Sequence, residues 1–217
     1  MLHSTPFISE DIDFTSLREN GYTTAKVSEI MSHSLLRNIS TETFVPDYDS
    51  RDGDGYQPSD TLYSGMFVAK DRMGDRPGGF YEVWLDHVMA WARPYVGMYM
   101  NQPSGMDAHL AIAECRSGYF MDWHHDVGER AVAIALLYLC DGEMKDEYGG
   151  QLEVSRTHRN SDGSVRSREV TGVFSPKHGD LILLDSSSIL FEHRVTKYSN
   201  PDFSRYFLSA TLGIPRG

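Results

Sequence analysis

Two consecutive strand-like runs decide the fold: Gly118-Tyr-Phe-Met-Asp-Trp-His-His-Asp126 and, after a short break, Ala131-Val-Ala-Ile-Ala-Leu-Leu-Tyr-Leu139. The second run is almost wholly apolar, which is typical of a buried strand. The first run ends in histidine and aspartate, side chains that can bind a metal ion. Together they predict a β-rich domain with a candidate metal site on one strand.

After residue 107 the sequence consists of short strands separated by turn residues. Gly149-Gly150 breaks the chain, and Asn160-Ser-Asp-Gly163 is predicted to form the tip of a hairpin. About eight short strands after a helical lead-in indicate a jelly-roll or closed β-sandwich with helices packed outside. Besides the two runs above, the predicted strands are Asp107–Cys115, Gln151–Val154, Leu181–Leu184, Ile189–Val195 and Arg205–Leu212.

The first hundred residues are predicted to be mainly helical and irregular. One helix is expected from Thr24 to Asn38 and a second from about Gly79 to Arg93, because Pro94 pushes the residue before it away from helical angles. We interpret His87 as a core histidine within the second helix. The buried stripes expected at helical spacing are Val27, Ile30, Met31, Ser34 and Leu35, and then Phe80, Val83, Trp84, His87, Val88 and Trp91.

Residues 47–60 are rich in Asp, Gly and Ser and are predicted to form a surface loop or a lid over the active site. A calcium-binding loop is disfavoured, because Arg51 interrupts the ligand order and no glutamate closes it. Residues 1–217 are expected to form a single domain, with residues 1–100 packing as a mainly helical part on a β core at 107–213.

The composition limits the partners and the location. A formal net charge of −11 argues against binding to nucleic acid or to an anionic membrane by bulk electrostatics. Residues 1–6 lack the features of a signal peptide, and no apolar stretch approaches the roughly 20 residues that span a bilayer. Cys115 and Cys140 are expected to be reduced, buried thiols. A cytoplasmic protein is predicted.

Strand alternation selects the candidate metal ligands. His124 and Asp126 share one face of a strand, whereas His125 points to the other. The third candidate is His193, which shares a face with Phe191 and Val195 that is predicted to line the barrel interior. Two histidines and one carboxylate on one side of a metal form the open-sided site that suits non-haem iron(II).

Two further residues suggest a binding site for a carboxylate. Arg205 lies on the predicted strand after His193 and shares a face with Phe207, Ser209 and Thr211. A surface arginine in a salt bridge is one interpretation, but an arginine that faces an apolar interior needs an anionic partner. A dicarboxylic acid would provide one, because guanidinium binds carboxylate through two parallel hydrogen bonds. Tyr138 can supply a hydroxyl group to the same carboxylate, although a tyrosine of the core is an equally good interpretation.

In this order the residues resemble the iron(II)- and 2-oxoglutarate-dependent oxygenases, in particular the prolyl 4-hydroxylase-like branch, over residues 107–213. The departures are Cys115 and Met121, which replace a tyrosine and an aromatic residue. The motifs that carry the resemblance are Gly118 six positions before His124, His124-His125-Asp126, Arg130 leading into Leu137-Tyr138-Leu139, Gly149-Gly150 before Gln151-Leu152, Pro176-Lys177-His178-Gly179-Asp180, and finally His193 with Arg205.

The resemblance implies a double-stranded β-helix and an enzyme that uses Fe(II), 2-oxoglutarate and O2. His124, Asp126 and His193 would bind the iron, while Arg205 and Tyr138 would hold the distal carboxylate of 2-oxoglutarate. The expected reaction hydroxylates an unactivated C–H bond of an amino-acid side chain, free or within a peptide or protein, and releases succinate and CO2.

Two residues are candidates for substrate contacts, and two alternative functions remain. Arg130 and Trp123 are candidates for contacts with the substrate. One alternative is a cupin-like barrel that binds a metal or a sugar without 2-oxoglutarate chemistry, although it would not explain Arg205 in line with His193. The other is an inactive oxygenase fold used for binding, which the intact set of His124, Asp126 and His193 disfavours.

Overall fold

A curled antiparallel sheet forms the body of the protein in a computed structural model that describes residues 7–46, 63–69, 79–98, 106–126, 131–200 and 202–213. The helices are α1 (Phe14–Asn20), α2 (Glu29–Ile39) and α3 (Phe80–Val96). The strands are β1 (Tyr22–Lys26), β2 (Phe44–Pro46), β3 (Tyr63–Ala69), β4 (Asp107–His124), β5 (Ala131–Cys140), β6 (Leu152–Arg159), β7 (Val165–Phe174), β8 (Asp180–Asp185), β9 (Phe191–Val195) and β10 (Arg205–Gly213).

The order of the strands gives the sheet its jelly-roll form. Along the main path the neighbours are β1-β8-β5-β10-β4-β9-β6-β7, while β2 pairs with β3 and β3 pairs with β4. Strand β4 is long enough to take part in both halves of the sheet, because its first half pairs with β10 and its end pairs with β9. The predicted fold class, a mainly β jelly-roll core with flanking helices, is confirmed.

The apolar strand β5 is buried on both faces. Ala133, Ala135, Leu137 and Leu139 belong to a core between the sheet and the helices, which also contains Trp84 and Val88 of α3. Ile134, Leu136, Tyr138 and Cys140 belong to a second core inside the barrel. A strand with a core on each side has no polar face, which explains why residues 131–139 lack the alternation of a half-exposed strand.

The N-terminal part departs from the prediction because tertiary pairing overrides local pattern. The predicted helix from Thr24 is wrong at its start, since residues 22–26 form β1 against β8 and α2 begins only at Glu29. Ile30 is therefore exposed, while Met31 and Leu35 are buried as expected. Strand β3 was not predicted either. The N-terminal part thus contributes strands to the sheet as well as helices that cover it.

The second predicted helix is longer than Pro94 suggested. Helix α3 includes Pro94 and ends at Val96, because Tyr95 and Val96 are buried and hold the last turn against the core. Phe80 and Val83 are exposed, contrary to the predicted stripe. His87 is half-buried, and its ring lies 4.1 Å from that of Phe7. No helix in the described part of the chain has the length and apolar character needed to cross a membrane.

Several predicted strands are longer or begin later than expected. The two strands predicted over 107–126 are one strand, β4, with Gly118 at a φ of 98° where its register shifts. Strand β6 extends to Arg159, and β7, which follows the confirmed turn at 160–163, was not predicted because its residues are mostly exposed. Ile189 is exposed and precedes β9. The predicted loop at 47–60 lies outside the described residues.

Gly149 is expected to be indispensable to the barrel. Its φ is 65°, and a Cβ atom there would lie 2.1 Å from the backbone oxygen of Lys197. Gly149→Ala should therefore lower the free energy of unfolding by about 3 kcal/mol, since it adds a backbone clash to the cost of a left-handed conformation. Urea denaturation measures the change.

Gly163 provides the matched control, because its φ is 83° but no atom lies within 4 Å of the position that a Cβ atom would take. Gly163→Ala should cost only the conformational part, about 1 kcal/mol. Equal losses in the two variants would contradict the clash at Gly149.

Candidate metal centre

Three potential metal ligands meet where β4 ends beside β9. His124 is directly opposite His193 in the register of these antiparallel strands, and their rings are 4.1 Å apart. Asp126 completes the group: its Oδ1 lies 3.8 Å from His124 Nε2 and its Oδ2 lies 3.3 Å from His193 Nε2. The ligand atoms of the three residues all lie within 4.8 Å of one another, a separation that allows them to bind one metal ion.

The surroundings prepare His124 and Asp126 for metal binding. His124 Nδ1 lies 2.7 Å from the carbonyl oxygen of Asp122, to which it donates, and this leaves Nε2 free to bind a metal. Burial, followed by the neighbouring His193, lowers the pKa of His124 to about 4. Burial alone would raise the pKa of Asp126, but the hydrogen bond and charge of His193 outweigh it and bring that pKa to about 2. A neutral imidazole and an ionised carboxylate are the forms that bind metals.

The other predicted residues near the cluster have different positions. His125 is exposed and does not join the cluster, which agrees with strand alternation. Trp123 packs against Arg194 and Arg168, whose guanidinium carbons lie 4.8 and 5.5 Å from its ring. Because Arg194 and His193 point to opposite faces of β9, the structure does not bring Trp123 to the cluster. Arg130 lies outside the described residues.

An ion cluster that the sequence did not reveal lies behind His193. The Glu192 carboxylate is buried, and it accepts hydrogen bonds of 2.6 Å from both Arg159 and Arg168. Two arginines on one buried carboxylate fix the backbone of β9 next to His193. No local pattern signals this cluster, because the three residues come from three different strands.

Arg205 lies inside the barrel with part of its hydrogen-bonding capacity unused. It is 1% exposed and lies opposite Cys115 on one neighbouring strand and Cys140 on the other. Its Nη1 donates to the carbonyl oxygen of Gly150, but among the described residues Nε and Nη2 have no hydrogen-bond partner. A buried guanidinium with two free donors is strongly unfavourable unless an anion binds there.

Aromatic rings and Gly150 shape the space around this guanidinium. The Arg205 Cζ atom lies 5.2 Å from the ring centre of Tyr138 and 5.5 Å from that of Tyr198. Burial raises the pKa of Tyr138, and it raises the pKa of Tyr198 to about 12, so both phenols stay neutral. A Cβ atom on Gly150 would lie 3.0 Å from Arg205 Nη1, so only glycine allows this approach without displacement.

Cys115 and Tyr198 are the local features that sequence reasoning missed or undervalued. Burial raises the pKa of the Cys115 thiol to about 12, although the adjacent Arg205 guanidinium acts in the opposite direction. Cys115 and Cys140 are both buried and unbridged, as predicted. Tyr198, which lies between two predicted strands, is fully buried and donates to the carbonyl oxygen of Phe203 over 2.9 Å.

Comparison with known proteins agrees with this geometry. Residues 109–211 match the sequence model of the 2OG-Fe(II) oxygenase superfamily. A prolyl-4-hydroxylase from Pseudomonas putida has a similar structure, with a TM-score of 0.61 and 19% identity over 94% of this chain and 97% of that one. No curated protein sequence gives a significant match.

Two further solved structures have the same fold. A prolyl hydroxylase from Trichoplax adhaerens, in complex with a peptide fragment of hypoxia inducible factor, has a TM-score of 0.61 and 15% identity over 92% of this chain and 86% of that one. HygX from Streptomyces hygroscopicus, with nickel and 2-oxoglutarate bound, has a TM-score of 0.60 and 11% identity over 92% and 85% of the two chains. Residues 109–211 therefore form a 2OG-Fe(II) oxygenase domain, and the protein is a dioxygenase that uses Fe(II), 2-oxoglutarate and O2.

Proposed function

We propose that His124, Asp126 and His193 bind the iron, that Arg205 with Tyr138 binds the distal carboxylate of 2-oxoglutarate, and that the enzyme hydroxylates a C–H bond of an amino-acid side chain. The observation that carries the assignment is the buried guanidinium of Arg205, whose Nε and Nη2 have no hydrogen-bond partner among the described residues, within the barrel that also carries the His-Asp-His cluster. A cupin-like barrel that binds only a metal or a sugar would not explain Arg205, because a buried cation is costly unless an anionic ligand binds to it.

The proposed ligand set determines which reaction the metal can support. His124, Asp126 and His193 would hold the metal through three protein ligands, a number that would leave further positions for co-substrate and dioxygen. The bound iron, with 2-oxoglutarate and O2, supplies the oxidant: one oxygen atom enters the substrate as a hydroxyl group and the other enters succinate, with release of CO2. Asp126 occupies the ligand position that a halide would need, so the cluster favours hydroxylation over halogenation.

Protein groups around the cluster control what reaches it. The interior next to His193 is apolar, since Val154, Val195 and Leu152 belong to the barrel core. A dry interior strengthens the interaction between Arg205 and a carboxylate, because the local dielectric constant is low. It also limits the access of water to reactive species at the metal.

An amino-acid side chain is the substrate class that the available likenesses support best. Two of the similar structures are prolyl hydroxylases, and one of these holds a peptide. The net charge of −11 weighs against a nucleic-acid substrate. We further infer a cytoplasmic location, which the two unbridged cysteines, Cys115 and Cys140, support.

An anaerobic titration tests the proposed function. Addition of 2-oxoglutarate to the iron(II)-loaded protein should produce the visible charge-transfer band of the chelated keto acid. Succinate alone should give no band, because it has a carboxylate for Arg205 but no keto group for the metal. If 2-oxoglutarate binds without a band, or does not bind at all, the assigned roles of the cluster and of Arg205 are wrong.

A further inference from the structure

We propose that Arg156 binds a carboxylate of the substrate, and that the substrate is therefore a free amino acid rather than a residue within a protein. The inference rests on the proposed function, because it names the substrate of the same metal centre. Its basis is the position of Arg156 on β6, on the other side of the metal cluster from Arg205.

Strand β6 and the glycines before it run past the co-substrate pocket and then past the metal cluster. The carbonyl oxygen of Gly150 accepts a hydrogen bond from Arg205. Further along, Val154 lies directly opposite His193, and Arg156 lies directly opposite Phe191. At about 3.3 Å per residue, Arg156 is about 7 Å beyond the level of His193, in the direction away from Gly150.

Arg156 shares the interior face of the sheet with the metal cluster. Residues directly opposite each other in a sheet lie on the same face, so Val154 and His193 define that face, and alternation places Arg156 and Phe191 on it as well. The guanidinium carbon of Arg156 lies 5.3 Å from the centre of the Phe191 ring, which agrees with this placement. Arg156 is half-buried, and the hydrogen bond from its guanidinium to Glu19 lies in a solvent-exposed position.

The guanidinium of Arg156 is held in place but has no anionic partner in the described part of the chain. It donates to the carbonyl oxygen of Glu19, near the C-terminal end of α1. No carboxylate among the described residues lies within 4 Å of it. The contrast with its neighbours is clear, because Arg159 and Arg168 both bind Glu192 and Arg194 binds Glu153, over 2.6 to 2.7 Å.

These features suit one ligand chemistry. A guanidinium that contacts a backbone carbonyl and an aromatic ring, and whose other donors have no partner among the described residues, can bind a carboxylate through two parallel hydrogen bonds. A free amino acid carries an α-carboxylate within a few ångströms of its side-chain carbons. This distance is compatible with the position of Arg156, which is two residues along β6 from the level of His193. A residue inside a peptide chain has no free α-carboxylate, because that group forms the next amide bond.

The test compares free amino acids with their C-terminal amides. The probes are the standard L-amino acids and the corresponding amides, and the readout is succinate released above the level without a probe. We expect at least one acid to stimulate release and its amide to have a much higher KM. Arg156→Gln should raise the KM for that acid by about 10- to 100-fold and leave the KM for 2-oxoglutarate unchanged.

Two further variants separate this role from a general effect on the fold. Arg156→Lys keeps the charge but loses the planar pair of donors, so its KM should lie between those of the unmodified enzyme and Arg156→Gln. Arg166→Gln removes an exposed arginine of β7 and should leave every constant unchanged. The 2-oxoglutarate band of each variant shows that its metal centre is intact.

Several outcomes would overturn the inference. Amides that react as well as acids would do so, and so would an Arg156→Gln enzyme that matches Arg166→Gln. A panel in which no acid stimulates release, although the 2-oxoglutarate band forms, would also exclude a free amino acid. Absence of the band in the unmodified protein would instead overturn the proposed function.

Discussion

Replacement of His124 or His193 by alanine is expected to abolish iron(II) binding and, with it, 2-oxoglutarate turnover. Each variant removes one of three protein ligands that converge within 4.8 Å. The affinity for iron should fall by more than about 100-fold, because changes to the outer partners of a metal site alone cost 10- to 100-fold. The measurement is the iron retained per chain after anaerobic dialysis, together with the succinate formed.

His125→Ala is the matched control for this pair. His125 is adjacent in sequence to both His124 and Asp126, but it is exposed and lies outside the cluster. The variant should retain iron and activity at the level of the unmodified enzyme. If His125→Ala loses iron to the same extent as His124→Ala, the assignment by strand alternation is wrong.

Arg205→Met is expected to abolish 2-oxoglutarate binding while the protein remains folded and loaded with iron. The variant replaces a buried guanidinium, two of whose nitrogens have no partner in the described part of the chain, by an apolar side chain of similar length. Removal of a buried, unpaired charge should maintain or increase the free energy of unfolding of the ligand-free protein. The loss of a charge-assisted, two-point contact should weaken 2-oxoglutarate binding by about 100-fold or more.

Thermal unfolding with and without 2-oxoglutarate separates these two effects. For the iron(II)-loaded, unmodified protein, a ligand concentration of 100 times Kd should add about 2.7 kcal/mol of stability. At the same concentration Arg205→Met should show almost no increase. Cys140→Ser is the control, because Cys140 lies opposite Arg205 on the neighbouring strand β5. This variant should retain the increase in stability that 2-oxoglutarate produces. A full increase in Arg205→Met would show that the carboxylate binds elsewhere.

The sequence predicted the elements whose cause is local. Strand alternation separated His125 from His124 and Asp126 without any knowledge of the fold. The apolar run at β5 was recognisable because it is buried on both faces, and the glycine pair at 149–150 was recognisable as a break. Arg205 could be proposed as an interior residue because it shares one face of its strand with Phe207, Ser209 and Thr211.

The elements that could not be predicted depend on distant parts of the chain. The predicted helix began at Thr24, but residues 22–26 form β1 because β8 provides a buried edge with which to pair. Pro94 signals a helix end, yet burial of Tyr95 and Val96 carries α3 past it. Tyr198 lies outside every predicted strand and helix, and its ring comes within 5.5 Å of the Arg205 guanidinium carbon only in the folded chain.

Strand β4 connects the proposed co-substrate site and the proposed metal site through one backbone. Cys115 on this strand lies beside Arg205, and His124 on the same strand lies beside His193. The separation between the guanidinium and the three clustered side chains therefore depends on this one strand and its sheet hydrogen bonds, including the register shift near Gly118. With the proposed roles, this distance selects the length of the co-substrate. A keto diacid one carbon shorter than 2-oxoglutarate should contact either the metal or Arg205, but not both.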